Sequence, residues 1–312
     1  MRASGIALTA LLMLMLTCVT RNAMAEPPAA TARFVTFSIG DLNAVALEDG
    51  TLEQPNDGKS FIVGRSPSEV AAVLASGGAA TDHFEFGLQP LLVRGNHRVL
   101  LFDTGAGRNF GPIAGALVSS LLAAGVDPSS VTDIFISHVH GDHVGGLLNS
   151  EGGLAFPNAT IHISAPEWSY LSGMNAHTAQ IVGIPQWDAL VRTITPKVAP
   201  FEPDADIIPG LVKAVAIKGH TPGHSAYLIG TGAKTLLYIG DTLHNFIVSV
   251  RDPQWLTSFD ADPPTAAASR VAFVARVAAS GQRLYAVHFP FPGVGVITKR
   301  DGVYSWVPQT LH

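Results

Sequence analysis

The sequence predicts an α/β fold in which two mixed β-sheets pack face to face, with helices covering their outer sides. Short apolar strands occur in both halves of the chain, and each half closes with an amphipathic helix, at residues 113–124 and 265–279. Two sheets covered by helices bury both kinds of element around a common core. No linker and no repeat of solenoid period divides residues 34–312, so we expect one domain there.

The first 25 residues are set apart from this fold. Arg2 gives a positive start, the apolar run at 6–19 is short for a membrane span, and Ala23-Met24-Ala25 has the small residues of a cleavage site. An uncleaved anchor and a lipoprotein attached through Cys18 are the alternatives, although Thr17 is a poor residue before a lipidated cysteine. The predicted division is a signal peptide at 1–25, a disordered leader at 26–33 and a single catalytic domain at 34–312, exported to the periplasm or secreted.

Composition narrows the choice of partners. Cleavage would remove Cys18, the only cysteine, and leave no disulfide and no thiolate ligand or nucleophile. It would also remove Arg2 and Arg21, so that 19 basic against 24 acidic residues become 17 against 24, about −7. A mildly acidic chain without a basic run is not expected to bind nucleic acid, and no stable membrane anchor is expected after cleavage. A small uncharged or hydrophobic substrate fits better.

Alternation, turn residues and capping residues place the elements in order. The first half is predicted to contain strands within 34–47, an irregular polar segment at 51–65, a helix at 66–75 opened by Ser66 and Pro67, a hairpin of 86–93 and 98–102, and a helix at 113–124. The second part is predicted to contain strands at 131–136 and 159–164, a helix opening at 144, an irregular segment at 166–200, strands at 212–217, 225–229 and 235–239, a helix at 265–279 and a last strong strand at 284–287.

Three histidines and a carboxylate follow the predicted strand 131–136. His138, His140, Asp142 and His143 lie within six positions, although the whole chain has only 12 histidines. A solvated polar loop is the alternative, but chance explains such clustering poorly. Neutral imidazole and carboxylate are ligands that Zn²⁺ and related divalent metals prefer. Four ligands so close in sequence do not easily surround one ion, so we expect two adjacent ions.

Three further apolar strands end in a residue that can bind a metal. His220, Asp241 and His288 follow the strands at 212–217, 235–239 and 284–287. Taken singly, Asp241 could cap a turn and His288 could be a core histidine. Together with the first cluster they supply five histidines and two aspartates, which two metals sharing a bridging carboxylate would require.

In this order, the seven residues resemble the dinuclear metallo-β-lactamase superfamily, and the resemblance spans residues 34–312. Shorter motifs resemble the methyl parathion hydrolase group and related secreted lactonases: Asp103-Thr104-Gly105, Phe110-Gly111-Pro112, Leu154 to Ala159, and His288 to Gly293. The resemblance implies a four-layer αβ/βα sandwich with the metals at one edge of the two sheets. Three features depart from the group: Gly141 stands in place of proline, His244 replaces an apolar residue, and residues 167–187 align poorly.

The resemblance also implies a ligand set. One metal takes His138, His140 and His220, the other takes Asp142, His143 and His288, and Asp241 bridges them. Zn²⁺ is expected, with Mn²⁺, Co²⁺ or Fe²⁺ as alternatives. His224 is expected to be structural. Asp103 is a candidate for orienting a ligand histidine, with a strand-end turn cap as its alternative.

The expected function is that of an exported metal-dependent hydrolase. Two ions about 3.5–4 Å apart hold a bridging water as hydroxide, which attacks a lactone, an aryl ester or a phosphotriester. Asp142 and Asp241 serve catalysis as ligands, and His244 and Tyr170 are candidates for protonating the leaving group. Phe110, Trp168 and Phe289 are candidates for the wall of an apolar pocket, with core packing as their alternative. Relatives in the group suggest a homodimer.

Three other functions remain open from the sequence. The first is a β-lactamase of the same fold, against which Asp241 argues, because the drug-hydrolysing branches generally lack a bridging aspartate. The second is a redox di-iron member, which usually has a carboxylate where this chain has His140. The third is a non-catalytic metal-binding protein, which would hold metal without turning over any activated ester.

Overall fold

A computed structural model describes residues 30–232 and 234–311. The predicted signal peptide and the first half of the predicted leader, residues 26–29, lie outside these residues. Arg33, which the sequence assigned to the leader, is the first residue of a strand. Within the described ranges, no helix combines the length and the apolar character needed to cross a membrane.

The described residues form eighteen strands and eight α-helices. The strands are β1 (Arg33–Ile39), β2 (Leu42–Glu48), β3 (Gly50–Pro55), β4 (Ile62–Val63), β5 (His83–Leu88), β6 (Leu91–Gly95), β7 (Arg98–Phe102), β8 (Asp133–Phe135), β9 (Thr160–Ser164), β10 (Val198–Phe201), β11 (Asp206–Ile208), β12 (Val212–Ala216), β13 (Ser225–Ile229), β14 (Leu236–Tyr238), β15 (Leu256–Thr257), β16 (Leu284–Tyr285), β17 (Val294–Arg300) and β18 (Val303–Pro308). The helices are α1 (Pro67–Ser76), α2 (Leu117–Ala123), α3 (Gly141–Val144), α4 (Ala165–Gly173), α5 (Ala176–Ile181), α6 (Trp187–Ile194), α7 (Val248–Arg251) and α8 (Pro263–Ser280).

Most strands belong to two seven-stranded sheets. Their orders are β1-β2-β6-β7-β8-β9-β10 and β11-β12-β13-β14-β16-β17-β18. Each sheet is mixed: β7, β8, β9 and β10 run parallel in the first sheet, and β14 and β16 run parallel in the second. Two small sheets, β3 with β5 and β4 with β15, lie beside them. The predicted fold, two mixed sheets flanked by helices, is confirmed.

Aliphatic and aromatic side chains fill the space between the two large sheets. Phe102 of the first sheet is fully buried, and its ring lies 5.6 Å from those of Tyr227 and Tyr238 of the second. Burying each such side chain contributes roughly 1.5–3 kcal/mol. A separate apolar cluster lies on the outer face of each sheet, and α8 packs Phe273 and Val274 into the cluster on the second sheet. The sheets are therefore held together through a shared core.

Several predicted elements differ from the observed ones. The segment predicted as a strand at 86–93 is divided before Leu91, because Pro90 has no amide hydrogen for a ladder, and β5 pairs with β3 instead. The segment at 51–65, predicted irregular, contains most of β3 and all of β4. The segment at 166–200 contains most of α4 and all of α5 and α6. Strands β17 and β18 were not predicted. They form a hairpin in which β17 pairs with both β16 and β18 at the edge of the second sheet.

The topology brings strand ends of both sheets to one edge. In the first sheet β7, β8 and β9 are parallel, so their carboxyl ends, which precede Asp103, His138 and Glu167, lie together. In the second sheet β12 and β14 both run antiparallel to β13, and β16 runs parallel to β14. The ends that precede His220, Asp241 and His288 therefore share an edge as well.

Candidate metal centre

The loop after β8 and the short helix α3 present four of the predicted ligands. His138 is buried on the loop, His140 is the residue before the helix, and Asp142 and His143 lie in its single turn. The helical turn separates the side chains into two pairs. His138 and His140 belong to one group of ligands, and Asp142 and His143 belong to another.

The first group contains three imidazole nitrogens and one carboxylate oxygen. His220 Nε2 lies 3.1 Å from both His138 Nε2 and His140 Nδ1. Asp241 Oδ2 lies 3.3 Å from His220 Nε2 and 3.5 Å from His138 Nε2. Ligands at the usual zinc distances, in tetrahedral array, are about 3.3 Å apart. The spacing of this group therefore suits one zinc-sized ion.

The second group contains Asp142, His143 and His288. Asp142 Oδ2 lies 3.6 Å from His143 Nε2 and 3.7 Å from His288 Nε2. Asp241 Oδ1 lies 3.0 and 2.9 Å from the same two nitrogens. Asp241 thus turns one carboxylate oxygen toward each group. All seven predicted ligands converge, in the two sets implied by the resemblance.

Unpaired buried atoms show that this arrangement fits two cations. His143 Nε2 and Asp241 Oδ1 are buried 3.0 Å apart without the alignment of a hydrogen bond, and neither atom has another hydrogen-bond partner among the described residues. Leaving such atoms unpaired would cost free energy, which a bound cation removes. Burial lowers the pKa of His138 and His140 well below the ordinary value. At His143, His220 and His288 burial acts in the same direction, but the nearby Asp241 carboxylate outweighs it and raises the pKa, so metal binding there would release a proton. The residues present therefore fit a pair of divalent ions.

Asp103 orients the ligand His143. Its carboxylate lies 2.7 Å from His143 Nδ1, which fixes the other nitrogen toward the second group. The same carboxylate accepts hydrogen bonds from the Ser137 amide at 2.7 Å, the Ser137 hydroxyl at 2.6 Å and the Tyr238 hydroxyl at 2.7 Å. Asp103 therefore does more than cap a strand-end turn.

Asp260 has the corresponding role for His220, and the sequence analysis missed it. Its Oδ1 lies 2.9 Å from His220 Nδ1, while Arg270 and Thr257 donate to Oδ2 at 2.6 and 2.8 Å. Arg270 is also buried. No local pattern marks Asp260, because it lies 40 residues after the histidine that it orients.

Glu167 connects the loops that carry ligands of the two sheets, and it was also missed. Its side chain is fully buried and accepts hydrogen bonds from the amides of Val139, at 2.9 Å, and Gly223, at 2.6 Å. Val139 lies between two ligands of the first loop, and Gly223 follows His220. The only signal in the sequence was an acid three residues after Ser164, a pattern that is also typical of ordinary helix capping.

His224 supports Asp241 without belonging to either ligand group, which agrees with its predicted structural role. Its Nε2 accepts a hydrogen bond from the Asp241 amide at 2.9 Å. Gly240 makes this approach possible. Its φ is +48°, and a Cβ there would lie 2.7 Å from His224 Nε2 and 2.9 Å from Ser137 Cβ. A side chain at residue 240 would therefore displace Asp241.

A cavity of about 350 Å³ opens over the two ligand groups. Phe110, Tyr170 and His244 line it, as does Asp142, which is the most exposed ligand in its group, with 13% of its side chain exposed. The remaining lining residues are mostly apolar or are metal ligands: Leu52, Gln54, Phe86, His140, Ile181, Val182, Gly183, Asp241, Ser258, Phe259, Asp260, Ala261 and His288. No lysine or arginine is among these described residues.

Two residues predicted to wall the pocket belong instead to the core. Phe289 is fully buried, and its ring packs edge-on against Trp306 at 4.9 Å. Trp168 packs against the apolar cluster on the outer face of the first sheet. Phe289 directly follows the ligand His288, and neighbouring residues at a strand end point in different directions. Neither residue lines the cavity, so both assignments are corrected from pocket wall to core.

Comparison with known proteins identifies the family. The sequence model of the metallo-beta-lactamase superfamily matches residues 90–288, well over half of the chain. The chain therefore belongs to the metallo-β-lactamase superfamily, and the predicted resemblance is confirmed. Among curated proteins, no sequence match is found.

Solved structures show the same fold. AidC, described as a dizinc quorum-quenching lactonase in complex with a product, N-hexanoyl-L-homoserine, is 29% identical with a TM-score of 0.83, covering 89% of this chain and 98% of AidC. The hydrolase AbOPH of the beta-lactamase superfamily is 29% identical with a TM-score of 0.80, covering 90% of this chain and 99% of its own. A probable metal-dependent hydrolase from Staphylococcus aureus, 19% identical with a TM-score of 0.69, covers 88% of this chain and all of its own, and it shares the fold.

Proposed function

We propose that this protein is an exported dinuclear metal-dependent hydrolase whose main substrates are lactones, with aryl esters and phosphotriesters as further substrates. The observation that carries the proposal is the position of Asp241, which offers one oxygen to each of two complete ligand groups. The likeness to AidC, described as a dizinc lactonase, favours lactones. The segment at 1–25 supports export to the periplasm or beyond.

The lining of the cavity supports an uncharged substrate. Apolar side chains such as Leu52, Phe86 and Phe259 face it, and its described lining includes no lysine or arginine, so away from the ions it offers apolar contacts. Two divalent ions, when bound, would polarise the substrate's reacting oxygen and activate water at neutral pH. His138, His140 and His220 would hold one ion, and Asp142, His143 and His288 the other.

The residues beside the ions would bind the leaving group. Tyr170 lines the cavity, and burial raises the pKa of its hydroxyl, so the phenol stays protonated and can donate a hydrogen bond. His244 is buried, and its Nε2 lies 3.2 Å from Asp241 Oδ2 without the alignment of a hydrogen bond, so neither ring nitrogen has a hydrogen-bond partner among the described residues. Both are proposed to donate to the oxygen that leaves as the bond to the carbonyl carbon breaks.

The two donors can be tested by the choice of leaving group. A lactone alkoxide is a poor leaving group and needs a donor, whereas a p-nitrophenolate does not. We expect Tyr170→Phe or His244→Asn to lower kcat for a lactone by about 100-fold while changing kcat for a p-nitrophenyl ester by less than about threefold. Equal losses on both substrates would contradict the donor role.

The proposed function is tested by metal analysis and a substrate panel. The mature protein, loaded with Zn²⁺, Mn²⁺ or Co²⁺, is assayed against a lactone, an aryl ester, a phosphotriester and a cephalosporin. We expect two ions per chain and the highest kcat/KM with the lactone. A β-lactamase would turn over the cephalosporin best, and a metal-binding protein without catalysis would turn over none.

A further inference from the structure

One wall of the cavity is formed by a short segment that follows α5. Ile181 ends that helix, Val182 and Gly183 come next, and all three line the cavity together with Phe110. Ile181 is 72% exposed, which is high for an isoleucine. Its apolar surface is available to a substrate that enters the cavity, so we name residues 181–183 the cavity wall.

The cavity wall rests directly on the metal-binding turn. The Gly141 amide donates a hydrogen bond to the Val182 carbonyl at 2.8 Å. On its other side, the Gly141 carbonyl accepts one from Asn109 Nδ2 at 2.9 Å. A Cβ at residue 141 would lie 2.6 Å from the carbonyl carbon of Gly183 and 3.1 Å from its Cα, far inside van der Waals contact. Only glycine allows the two backbones to lie so close.

Residue 141 must therefore be glycine because there is no space for a side chain. The sequence suggested a tight turn, but Gly141 begins α3 and is not among the glycines with positive φ. Gly183 in turn packs closely against Phe110, since a Cβ at residue 183 would lie 3.0 Å from Phe110 Cζ. Gly141 thus determines the distance between the cavity wall and the turn that carries His140 and Asp142, one residue from each ligand group.

We infer that Gly141 determines the substrate specificity of this site by seating the cavity wall, residues 181–183, against the metal-binding turn. This inference rests on the proposed function and narrows its substrate class to lactones and esters with an apolar tail. The reacting group lies over the ligand groups, and the tail lies against Ile181 and the other apolar side chains that line the cavity, which include Phe259.

A methyl group at residue 141 would move this wall. Carbon atoms in contact are about 3.5–4.0 Å apart, so Gly183 must withdraw by roughly 1 Å. The tail would then lose contact with Ile181 and Val182. The fit of a single methylene in an apolar pocket is worth about 10–200-fold in kcat/KM. The preference for substrates with long tails should therefore decrease more than the activity on short ones.

The test compares Gly141→Ala with the wild-type protein on p-nitrophenyl butanoate and octanoate, both as two-metal protein. We expect the octanoate-to-butanoate ratio of kcat/KM to fall by about tenfold, through KM, while both ions are retained. Gly173→Ala is the matched control, because residue 173 is exposed and a Cβ there meets nothing within 4 Å. It should leave the ratio unchanged.

A second variant keeps the inference testable if Gly141→Ala does not fold. Ile181→Ala changes an exposed side chain of the same wall and should lower the ratio by about threefold. Calorimetric binding of butanoate and octanoate gives the same ratio without turnover, so it separates this inference from the proposed function. An unchanged ratio in Gly141→Ala, an unchanged ratio in Ile181→Ala, or a change accompanied by loss of metal would each overturn the assignment. Absence of turnover in the wild-type protein would refute only the proposed function.

Discussion

The two sheets contribute to the metal centre in different ways. The first sheet supplies four ligands from one stretch of six residues, His138 to His143, whose spacing is set by the chain itself. The second sheet supplies His220, Asp241 and His288 singly, from three loops that are distant in sequence. The relative positions of the ligands in the first half are fixed by their closeness in the sequence, whereas those in the second half are fixed by the order of the strands.

This difference locates the residues on which the centre depends most. The two halves come together through Asp241, which contacts both ligand groups, and through Glu167, whose buried carboxylate accepts hydrogen bonds from both loops. Asp103 and Asp260 each orient a histidine of one half. Removing Asp241, which breaks the connection between the halves, should therefore have a larger effect than variants that alter one half.

The largest effect is expected from Asp241→Ala, which removes the residue common to both groups. Both ions should be lost, and kcat/KM should fall by more than the roughly 10–100-fold typical of residues that only orient a ligand. Metal content by mass spectrometry and lactone turnover measure the change. Asp188→Ala, on an exposed surface ion pair, is the control and should keep both. An active Asp241→Ala protein with two ions would contradict the proposed bridge.

Asp103→Asn and Asp260→Asn should separate the two halves. Each should weaken metal binding by about 10–100-fold, Asp103→Asn at the group containing His143 and Asp260→Asn at the group containing His220. Competition with a chelator, followed by the spectrum of Co²⁺ in each site, measures this. Equal weakening of both sites in both variants would show that the halves are not supported independently.

Asp260→Asn has a complication that the structure allows us to control. It leaves the buried Arg270 without its carboxylate partner, which should cost about 3 kcal/mol of unfolding free energy. The double variant Asp260→Asn with Arg270→Met removes the unpaired charge and should recover most of that stability. It should not recover metal affinity, because His220 still lacks the acceptor that orients it.

Glu167→Gln is expected to have a smaller effect. One side-chain oxygen is replaced by an amide group that cannot accept from the Val139 or Gly223 amide, so one buried donor loses its partner. The unfolding free energy should fall by about 1–3 kcal/mol, and metal affinity should fall by roughly tenfold because the two loops separate. Urea unfolding with and without metal measures both. Glu151→Gln, at an exposed turn, should change neither.

The same difference between the halves explains what the sequence could predict. His138 to His143 was visible as a cluster, and His220, Asp241 and His288 became visible through the apolar strands before them. Asp260 and Glu167 were not, because their partners are distant in sequence and a buried acid has no periodic signature. Phe289 and Trp168 were misplaced because the direction of a side chain depends on packing that alternation near a strand end does not define.

The smallest effect should come from the amino end of β8, opposite the metal centre. Burial opposes ionisation of Asp133, but hydrogen bonds from His162, Thr132 and Arg98 lower its pKa to about 2 from 3.8. Because the folded pKa is the lower one, the carboxylate stabilises the fold above about pH 4, and this contribution is lost as the pH falls toward 2. Asp133→Asn should cost about 1 kcal/mol at pH 7 and little at pH 2, without loss of metal. Urea unfolding across this pH range measures it, and a constant loss at every pH would contradict the ionic origin.

The central claim is that Asp241 joins the two halves by binding one cation through each oxygen. Anomalous X-ray diffraction from crystals of the zinc-loaded wild-type protein tests it most directly. The account predicts two peaks about 3.5–4 Å apart, one beside Oδ1 and one beside Oδ2 of Asp241. A single peak, or two peaks of which one lies away from this carboxylate, would contradict it.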